Sequence, residues 1–367
     1  MLRLLTSGES HGPGLTAVLD GFPAGVKIAK KFIDAELARR QQGYGRGGRQ
    51  KIEKDEAWIL SGIRHGLSLG SPITLFVENK DFKNWAEKMA PEPVRGQMEP
   101  VTKLRPGHAD YAGVVKYGFT DLRNVLERSS ARMTVAQVAA GAVCKQFLGN
   151  FKINIASKVL KIGSAAERSR GGQITWSPGA AGAARLNAAA RAAIDAARRD
   201  GDTLGGVVEL NISGAPVGLG SYAQPDRKLD GRLAGALMSL QAVKGVEIGL
   251  GFAAADLPGS QAQDEIFYKN KKVFRKTNNA GGIEGGLSNG EDIIVRLAFK
   301  PIPTLMRPLN TIDWRTKKAA AAHVERADVC AVEAGAVVAE SIAAFVLADA
   351  FLEKFGGDSL AEIKSRV

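Results

Sequence analysis

The chain has 367 residues, a length that allows one large domain or two ordinary ones. Its apolar fraction of 45% and charged fraction of 24% are typical of a globular protein and exclude a disordered or fibrous chain. The net charge of +12 favours an anionic partner: nucleic acid, an acidic membrane surface, or a phosphorylated or carboxylated small molecule.

Hydrophobic periodicity predicts an alternation of strands and helices. In chain order we expect strands at 2–7 and 15–20, a helix at 32–41, a strand at 73–78, an irregular mobile loop at 80–100, helices at 131–148 and 183–199, a strand at 207–212, a helix at 229–243, a strand at 292–299 and a helix at 331–355. The alanine-rich helix at 183–199 is predicted to be a solvated surface element. Since no linker rich in proline or serine divides the chain, a single domain over residues 1–367 is expected.

Glycine is unusually frequent, at 43 residues or about 12% against about 7% in average proteins, which indicates tight turns and backbone that approaches ligands closely. Two glycine-bounded segments, Gly21-Phe-Pro-Ala-Gly25 and Gly214-Ala-Pro-Val-Gly218, each follow a predicted strand and precede a helix. This echo favours two halves of related build.

The remaining compositional features concern location and metals. Cys144 and Cys330 match no metal or redox spacing, so neither a metal site nor a disulfide framework is expected. The N-terminus lacks the pattern of a signal peptide. Glu340 and Asp349 interrupt the longest apolar run, so we expect no membrane span and a cytoplasmic protein.

Two functional alternatives come directly from the sequence. Gly8-Glu-Ser-His-Gly12 matches the nucleophile elbow of serine hydrolases, with Ser10 as nucleophile, but Pro13-Gly14 and a strand follow where an elbow needs a helix. The high positive charge is compatible with a nucleic-acid-binding protein, yet only 6% of residues are aromatic, few for stacking on bases. The charge therefore favours a small polyanion.

Of the four histidines, His11 and His108 lie in glycine-flanked loops, which favours acid–base chemistry. His65 and His323 are expected to have structural roles. Arginines, whose forked donors suit phosphates and carboxylates, concentrate in similar loops: Arg39, Arg40, Arg46, Arg49, Arg105, Arg123, Arg128, Arg132 and Arg326. Arg39 and Arg49 are interpreted as surface charges.

Three further segments carry weaker signals. Arg128-Ser-Ser-Ala-Arg132 precedes a helix, whose free N–H groups and dipole favour an anion. Lys300-Pro-Ile-Pro-Thr304 predicts a rigid turn whose backbone could face a ligand. Asp328, taken alone, is most simply the N-cap of the last helix.

Together these segments resemble the chorismate synthase family. Six blocks occur in the family's order along nearly the whole chain: Gly8–Gly12, Arg39–Arg46, Arg105–Asp110, Arg128–Arg132, Gly281–Gly286 and Lys300–Thr304. The resemblance implies an α+β fold, a β-α-β sandwich with helices packed between two sheets, an internal pseudo-repeat and a homotetramer. It also implies the 1,4-anti elimination of phosphate from 5-enolpyruvylshikimate 3-phosphate to give chorismate, which requires reduced FMN.

The resemblance further implies roles for individual residues. His11 would protonate the departing phosphate, His108 would act on the reduced flavin, and Asp328 would work with Ser10 and Ser130 in a proton relay. The substrate would be bound by Arg40, Arg46, Arg105, Arg132 and Arg326. The flavin would be bound by Arg128, Ser129, Ser130, Gln241, Ala242, Gly286, Lys300, Pro301, Ile302, Pro303, Thr304 and Arg326. In the family the positions of Arg40 and Arg46 are also associated with NADPH.

The sequence departs from the family pattern at two positions. Met133 stands where the family usually has glutamate, and Ala327 where it often has histidine. Neither change affects His11, His108 or Asp328. With no separate reductase domain in the sequence, we expect dependence on an external source of reduced flavin.

Overall fold

A computed structural model describes residues 1–48, 54–94, 98–166, 188–325 and 328–367. The first half of the chain contains β1 (Arg3–Ser7), β2 (Gly14–Asp20), α1 (Lys30–Gln41), β3 (Ala57–Ser61), β4 (Ile63–Arg64), β5 (Leu67–Ser68), β6 (Ile73–Glu78), α2 (Asp110–Tyr117), α3 (Arg123–Ser129) and α4 (Thr134–Gly149). The second half contains β7 (Asn154–Ile162), β8 (Ala165–Ala166), α5 (Ala188–Arg199), β9 (Gly206–Ser213), α6 (Leu229–Met238), β10 (Val243–Ile248), α7 (Gly259–Ala262), β11 (Ile266–Lys269), β12 (Lys272–Arg275), β13 (Ile283–Glu284), β14 (Leu287–Ser288), β15 (Ile293–Phe299), β16 (Asn310–Ile312), β17 (Ala319–Ala321), α8 (Val332–Phe355) and α9 (Leu360–Lys364).

Two antiparallel sheets enclose the central helices α4 and α8. The first sheet has the order β1-β2-β6-β3, and the second has the order β10-β15-β9-β7-β8. Alternate residues of β2 and β6 point into the core, whereas α4 and α8 are apolar on nearly all sides and are buried accordingly. The predicted α+β sandwich, with helices between two sheets, is confirmed.

The two halves repeat one another down to single hydrogen bonds. The segments Gly62-Ile-Arg-His-Gly-Leu-Ser68 and Gly282-Ile-Glu-Gly-Gly-Leu-Ser288 form equivalent hairpins. The Ser68 hydroxyl donates to Pro23 O at 2.6 Å and accepts from Val26 N at 2.9 Å; the Ser288 hydroxyl donates to Pro216 O at 2.5 Å and accepts from Leu219 N at 2.8 Å. The echo of Gly21–Gly25 at Gly214–Gly218 therefore reflects a real structural repeat.

The boundaries differ from prediction in a few places. Helix α6 ends at Met238 rather than 243, because the backbone of Ala242 adopts a left-handed φ of 71° and Val243 then begins β10. The described part of the alanine-rich helix, α5, buries one face against the second sheet and is not fully solvated; residues 183–187 lie outside the described ranges. Within the predicted loop at 80–100, residues Lys80–Asn84 form a 3-10 turn and residues 95–97 are not described.

Within the described ranges, one helix is long and apolar enough to cross a membrane, namely α8, and 83% of its apolar window is buried inside the protein. Such burial is that of the central helix of a globular core.

Candidate active site

The site lies where equivalent connections of the two halves meet. Strand β6 leads to α4 through residues 79–133, and β15 leads to α8 through residues 300–331. The two connections touch at several points: among them, a β-bridge joins Lys103 to Asp313, Lys300 Nζ donates to Gly107 O at 2.5 Å, and Arg105 Nη1 lies 3.3 Å from Glu325 Oε2. The pseudo-symmetry thus brings residues of both halves to one end of the sandwich.

His11 occupies the connection between β1 and β2 and is held by Glu127 of α3. Its Nδ1 lies 3.0 Å from both carboxylate oxygens of Glu127, and its backbone N donates to Glu127 Oε2 at 2.8 Å. Asn79, at the end of β6, supports the same loop by donating to Glu9 O at 3.1 Å and to Gly12 O at 2.7 Å. The imidazole is therefore fixed both by its own ring nitrogen and through its backbone.

The charge of Glu127 is well stabilised despite its burial. Burial acts to raise the pKa of this carboxyl, but hydrogen bonds from His11 and Arg123 outweigh burial and lower it below its ordinary value. Arg123 Nη1 donates to Glu127 Oε1 at 2.9 Å. A carboxylate that stays ionised beside Nδ1 fixes the orientation of the imidazole.

His108 is held in the same way by Asp110, the first residue of α2. Its Nδ1 lies 2.7 Å from Asp110 Oδ1, and Arg105 binds the two oxygens of Asp110 through Nε and Nη2, both at 2.9 Å. Burial acts to raise the pKa of Asp110, but the hydrogen bonds and charges of Arg105 and His108 hold it well below its ordinary value. Both predicted catalytic histidines thus pair with a buried, ionised carboxylate.

Glu325 connects the two histidine clusters. Its pKa is lowered, because the His323 hydrogen bond and the positive charges of Arg105, His323 and Arg123 outweigh the effect of burial. Arg105 belongs to the His108 cluster and Arg123 to the His11 cluster. One charged network therefore spans both sites, and His323 lies at its edge, 3.5 Å from Glu325.

Three of the predicted anion-binding arginines converge beside these clusters. Arg40 Nη2 and Arg132 Nη1 share the carboxylate of Asp55, at 3.0 and 2.6 Å. The pKa of Arg40 is lowered to about 10, chiefly by burial and further by the nearby charges of Arg132 and Arg46, against the opposing effect of Asp55. Among the described residues no hydrogen-bond partner reaches the buried Nε of Arg40 or of Arg46. Two unmatched donors in a strongly positive region suit an anionic ligand.

Asp328 is not the N-cap of α8, which begins at Val332 after an N-cap at Ala331. Its carboxylate instead binds Arg46 Nη1 at 2.8 Å and accepts from Gly47 N at 2.6 Å. Because Arg46 also influences Arg40, Asp328 belongs to the arginine cluster.

The predicted flavin-binding residues divide into two groups. Lys300 N donates to Ala242 O at 2.9 Å, which brings Gln241, Ala242 and the turn Lys300–Thr304 against the His108 loop. Arg128, Ser129 and Ser130 follow Glu127, and Arg128 is anchored on the carbonyl oxygens of Thr6 and Gly8 at 2.6 and 3.0 Å.

Gly286 does not join either group within this chain. Its carbonyl accepts from Ser221 N and Leu229 N, in the hairpin that precedes β15. The seven residues of β15 separate it from Lys300 by roughly 20 Å, at about 3.4 Å per residue. Arg326 and Ala327 lie outside the described residues.

The structure overturns the interpretation of Arg39 and supports the rejection of the nucleophile elbow. Arg39 is not a free surface charge, because it binds both oxygens of the buried Glu340 at 2.9 and 3.0 Å. Ser10 is buried and is followed by strand β2 rather than a helix, so the segment is no nucleophile elbow. Arg49 lies outside the described ranges.

Sequence reasoning missed the residues that hold the predicted ones in place: Asp55, Asn79, Trp85, Glu127 and Glu325. Most of them lie tens of residues from their partners, and only the fold reveals the contact. The one available signal was Glu127, which directly precedes the Arg128–Arg132 block.

Comparisons with known proteins identify the family of the chain. The family model described as chorismate synthase matches residues 2–352. The chorismate synthase of Geobacter sulfurreducens is 56% identical over 99% of this chain and 97% of the relative, and that of Geobacter metallireducens is 54% identical over the same shares. A solved crystal structure of chorismate synthase has a TM-score of 0.76 and 41% identity, covering 100% of this chain and 96% of the other. The chain therefore belongs to the chorismate synthase family and is a carbon–oxygen lyase of that type.

Proposed function

We propose that the chain eliminates phosphate from 5-enolpyruvylshikimate 3-phosphate to give chorismate, with FMN in its reduced form as cofactor. The observation that carries this proposal is one charged network that contains two carboxylate-held histidines beside arginines with unmatched buried donors. Such a site combines proton transfer with the binding of a multiply charged anion, which this elimination requires.

The arginine cluster fits the substrate, which carries one phosphate and two carboxylates. Asp55 pairs with both Arg40 and Arg132, and Asp328 pairs with Arg46, so three guanidinium groups meet two carboxylates here. Substrate oxygens would accept from the Nε donors of Arg40 and Arg46 and relieve the repulsion that lowers the pKa of Arg40. We assign Arg105 and Arg326 to the same ligand.

His11 would be the general acid that protonates the departing phosphate. With Nδ1 bound to Glu127, Nε2 is the ring nitrogen that would deliver the proton. His108, held by Asp110, would play the corresponding part beside the flavin.

We assign the flavin to the region next to His108 and Lys300. The Lys300 ammonium, the backbone of Pro301, Ile302, Pro303 and Thr304, and the Gln241–Ala242 corner would hold it on one side, with Arg128, Ser129 and Ser130 on the other. The chemistry supplied by bound reduced FMN is transient donation of electron density to the allylic system. Gly286 is assigned to the same cofactor, as the family resemblance implies.

Asp328 would hold the proton lost from the substrate ring, together with Ser10 and Ser130. Its carboxylate is fixed by Arg46 and Gly47 N, while Ser130 Oγ accepts from Arg132 N at 3.2 Å. These contacts connect the proposed relay to the substrate-binding arginines.

We propose a cytoplasmic homotetramer that receives reduced flavin from an external source. Purified protein with FMN and NADPH under anaerobic conditions should therefore reduce flavin far more slowly than it turns over substrate with prereduced flavin. Flavin reduction at a rate close to the lyase turnover would assign an intrinsic reductase activity instead.

The decisive experiment is an anaerobic assay with photoreduced FMN and 5-enolpyruvylshikimate 3-phosphate, in which phosphate release and chorismate absorbance are followed together. We expect equal amounts of both products and neither with oxidised FMN. Phosphate without chorismate would indicate a phosphatase, and no product from folded protein would refute the proposed reaction.

A further inference from the structure

The proposed acid and three neighbouring side chains form a closed cycle of contacts. The imidazole of His11 stacks on the indole of Trp85, with ring centroids 4.0 Å apart and planes inclined by 29°. The guanidinium of Arg123 lies 4.9 Å from the centroid of the same indole, and it donates to Glu127, which in turn binds His11. Each member of this cycle therefore touches the next.

Trp85 is itself firmly anchored. Its Nε1 donates to Asp81 Oδ2 at 3.1 Å, while Asn84 Nδ2 donates to Asp81 Oδ1 at 2.7 Å. The 3-10 turn that presents Trp85 begins after Asn79, whose amide also supports the His11 loop. Asn79 and the turn that follows it therefore position both the indole of Trp85 and the loop that contains His11.

The two neighbours of His11 constrain different motions. Glu127 sets the orientation of the imidazole within its own plane, whereas the indole face sets the tilt of the ring and excludes water from one side. Charged groups near the pair are Glu127 and Arg123 from α3 and Lys88, whose Nζ lies 5.3 Å from the indole centroid.

We propose that Trp85 is a positioning residue for the elimination: its indole holds the imidazole of His11 in the orientation needed to donate a proton to the leaving phosphate. This role rests on the proposed function of His11 as general acid. It is distinct from substrate binding, so removing the indole should affect the chemical step more than the affinity.

The first test needs no substrate, because protonated imidazole quenches the fluorescence of a stacked indole. We expect the tryptophan emission of the wild type to fall as the pH is lowered from 8 to 5, the range in which histidine titrates. The fall should be absent from His11→Asn and from Trp85→Phe, although the chain has four tryptophans. An unchanged fall in His11→Asn would disprove the pairing in solution.

The second test compares Trp85→Ala and Trp85→Phe with the control Trp58→Ala, which removes a 60% exposed indole from β3. Trp85→Ala should lower kcat about tenfold to a hundredfold and leave KM within about threefold. Trp85→Phe should restore most of kcat, and Trp58→Ala should behave as wild type.

The outcomes separate the explanations. A wild-type kcat in Trp85→Ala would overturn the proposal. A loss confined to KM would make Trp85 a substrate contact instead. If Trp85→Ala unfolds at a lower temperature, Trp85→Phe provides the comparison. If the wild type itself forms no chorismate, the proposed function fails while the fluorescence test still reports on the pairing.

Discussion

Gly141 of α4 lies directly against Ser341 of α8, where the two central helices pack closely. A Cβ built on Gly141 would lie 2.3 Å from Ser341 Cβ and 2.5 Å from its Cα. The two helices occupy equivalent places in the two halves, so this contact lies at the centre of the pseudo-symmetry.

Gly141→Ala should therefore destabilise the protein by about 1–3 kcal/mol, because overpacking outweighs the gain of about 1 kcal/mol in helix propensity. Gly149→Ala in the same helix is the matched control, since a Cβ there meets no atom within 4 Å. Urea unfolding of both variants measures the difference. Equal stability of the two would contradict the close helix contact.

Glu340 is the centre of a buried ion-pair network. Its carboxylate binds Arg39, Lys145 Nζ at 2.6 Å and Ser157 Oγ at 2.5 Å. Burial acts to raise its pKa, but the charges of Lys145 and Arg39 lower it below the ordinary value of 4.5. The stability it contributes is thus complete above about pH 4.5 and is lost as the pH falls through the lower folded pKa.

Glu340→Gln should cost about 3–5 kcal/mol of unfolding free energy near neutral pH, and its difference from wild type should shrink below about pH 4.5. Glu353→Gln is the control, because Glu353 is 43% exposed and pairs with Arg232 at the surface. Denaturant unfolding at several pH values tests this. A difference that does not depend on pH would mean that packing, not charge, makes Glu340 important.

Replacing Glu127, which binds His11, and Asp110, which binds His108, should have different effects on kcat and KM. Glu127→Gln keeps the shape but removes the charge beside His11, so kcat should fall about tenfold to a hundredfold with little change in KM. Asp110→Asn weakens the support of both His108 and Arg105, and it should raise KM as well. Steady-state kinetics with prereduced flavin would distinguish them, and identical effects on KM would contradict the assignment of Arg105 to the substrate.

Ser68 and Ser288 offer a test of the repeat itself. Both are buried and each hydroxyl donates one hydrogen bond and accepts another at equivalent positions. Replacing either by alanine should cost about 1–3 kcal/mol, since a buried N–H and a carbonyl lose their partner. Thermal unfolding should show similar losses for the two variants, and a large loss for only one would show that the halves contribute unequally to stability.

Hydrophobic periodicity predicted the elements that have one strongly apolar face, such as β2 and β6. It also predicted the helices that are buried on nearly all sides, α4 and α8. It missed β7, because this strand is partly exposed on both faces and carries lysines at 158 and 161. It also missed the short helices α2 and α3, which have too few turns to establish a pattern. These elements depend on tertiary packing that a local pattern does not contain.

The sequence likewise predicted only part of the candidate site. Glycine-flanked histidines and arginines, with the family resemblance, predicted the groups that would face a ligand. Their supports were not predictable, because Glu127 lies 116 residues from His11 and Asp55 lies 77 residues from Arg132. The same distance in sequence explains why Arg39 was mistaken for a surface charge, as Glu340 is 301 residues away.

Because the two equivalent connections meet at the site, activity depends on how the two halves are packed together. One half contributes His11, His108 and most of the arginines, and the other contributes Lys300, Glu325 and Asp328. Neither half alone contains a complete set, so the chemistry depends on the angle and spacing at which the halves are joined. A small slip between α4 and α8 would separate the histidines from their counterparts while each half stayed folded, and inactivation by heat or denaturant should then precede unfolding.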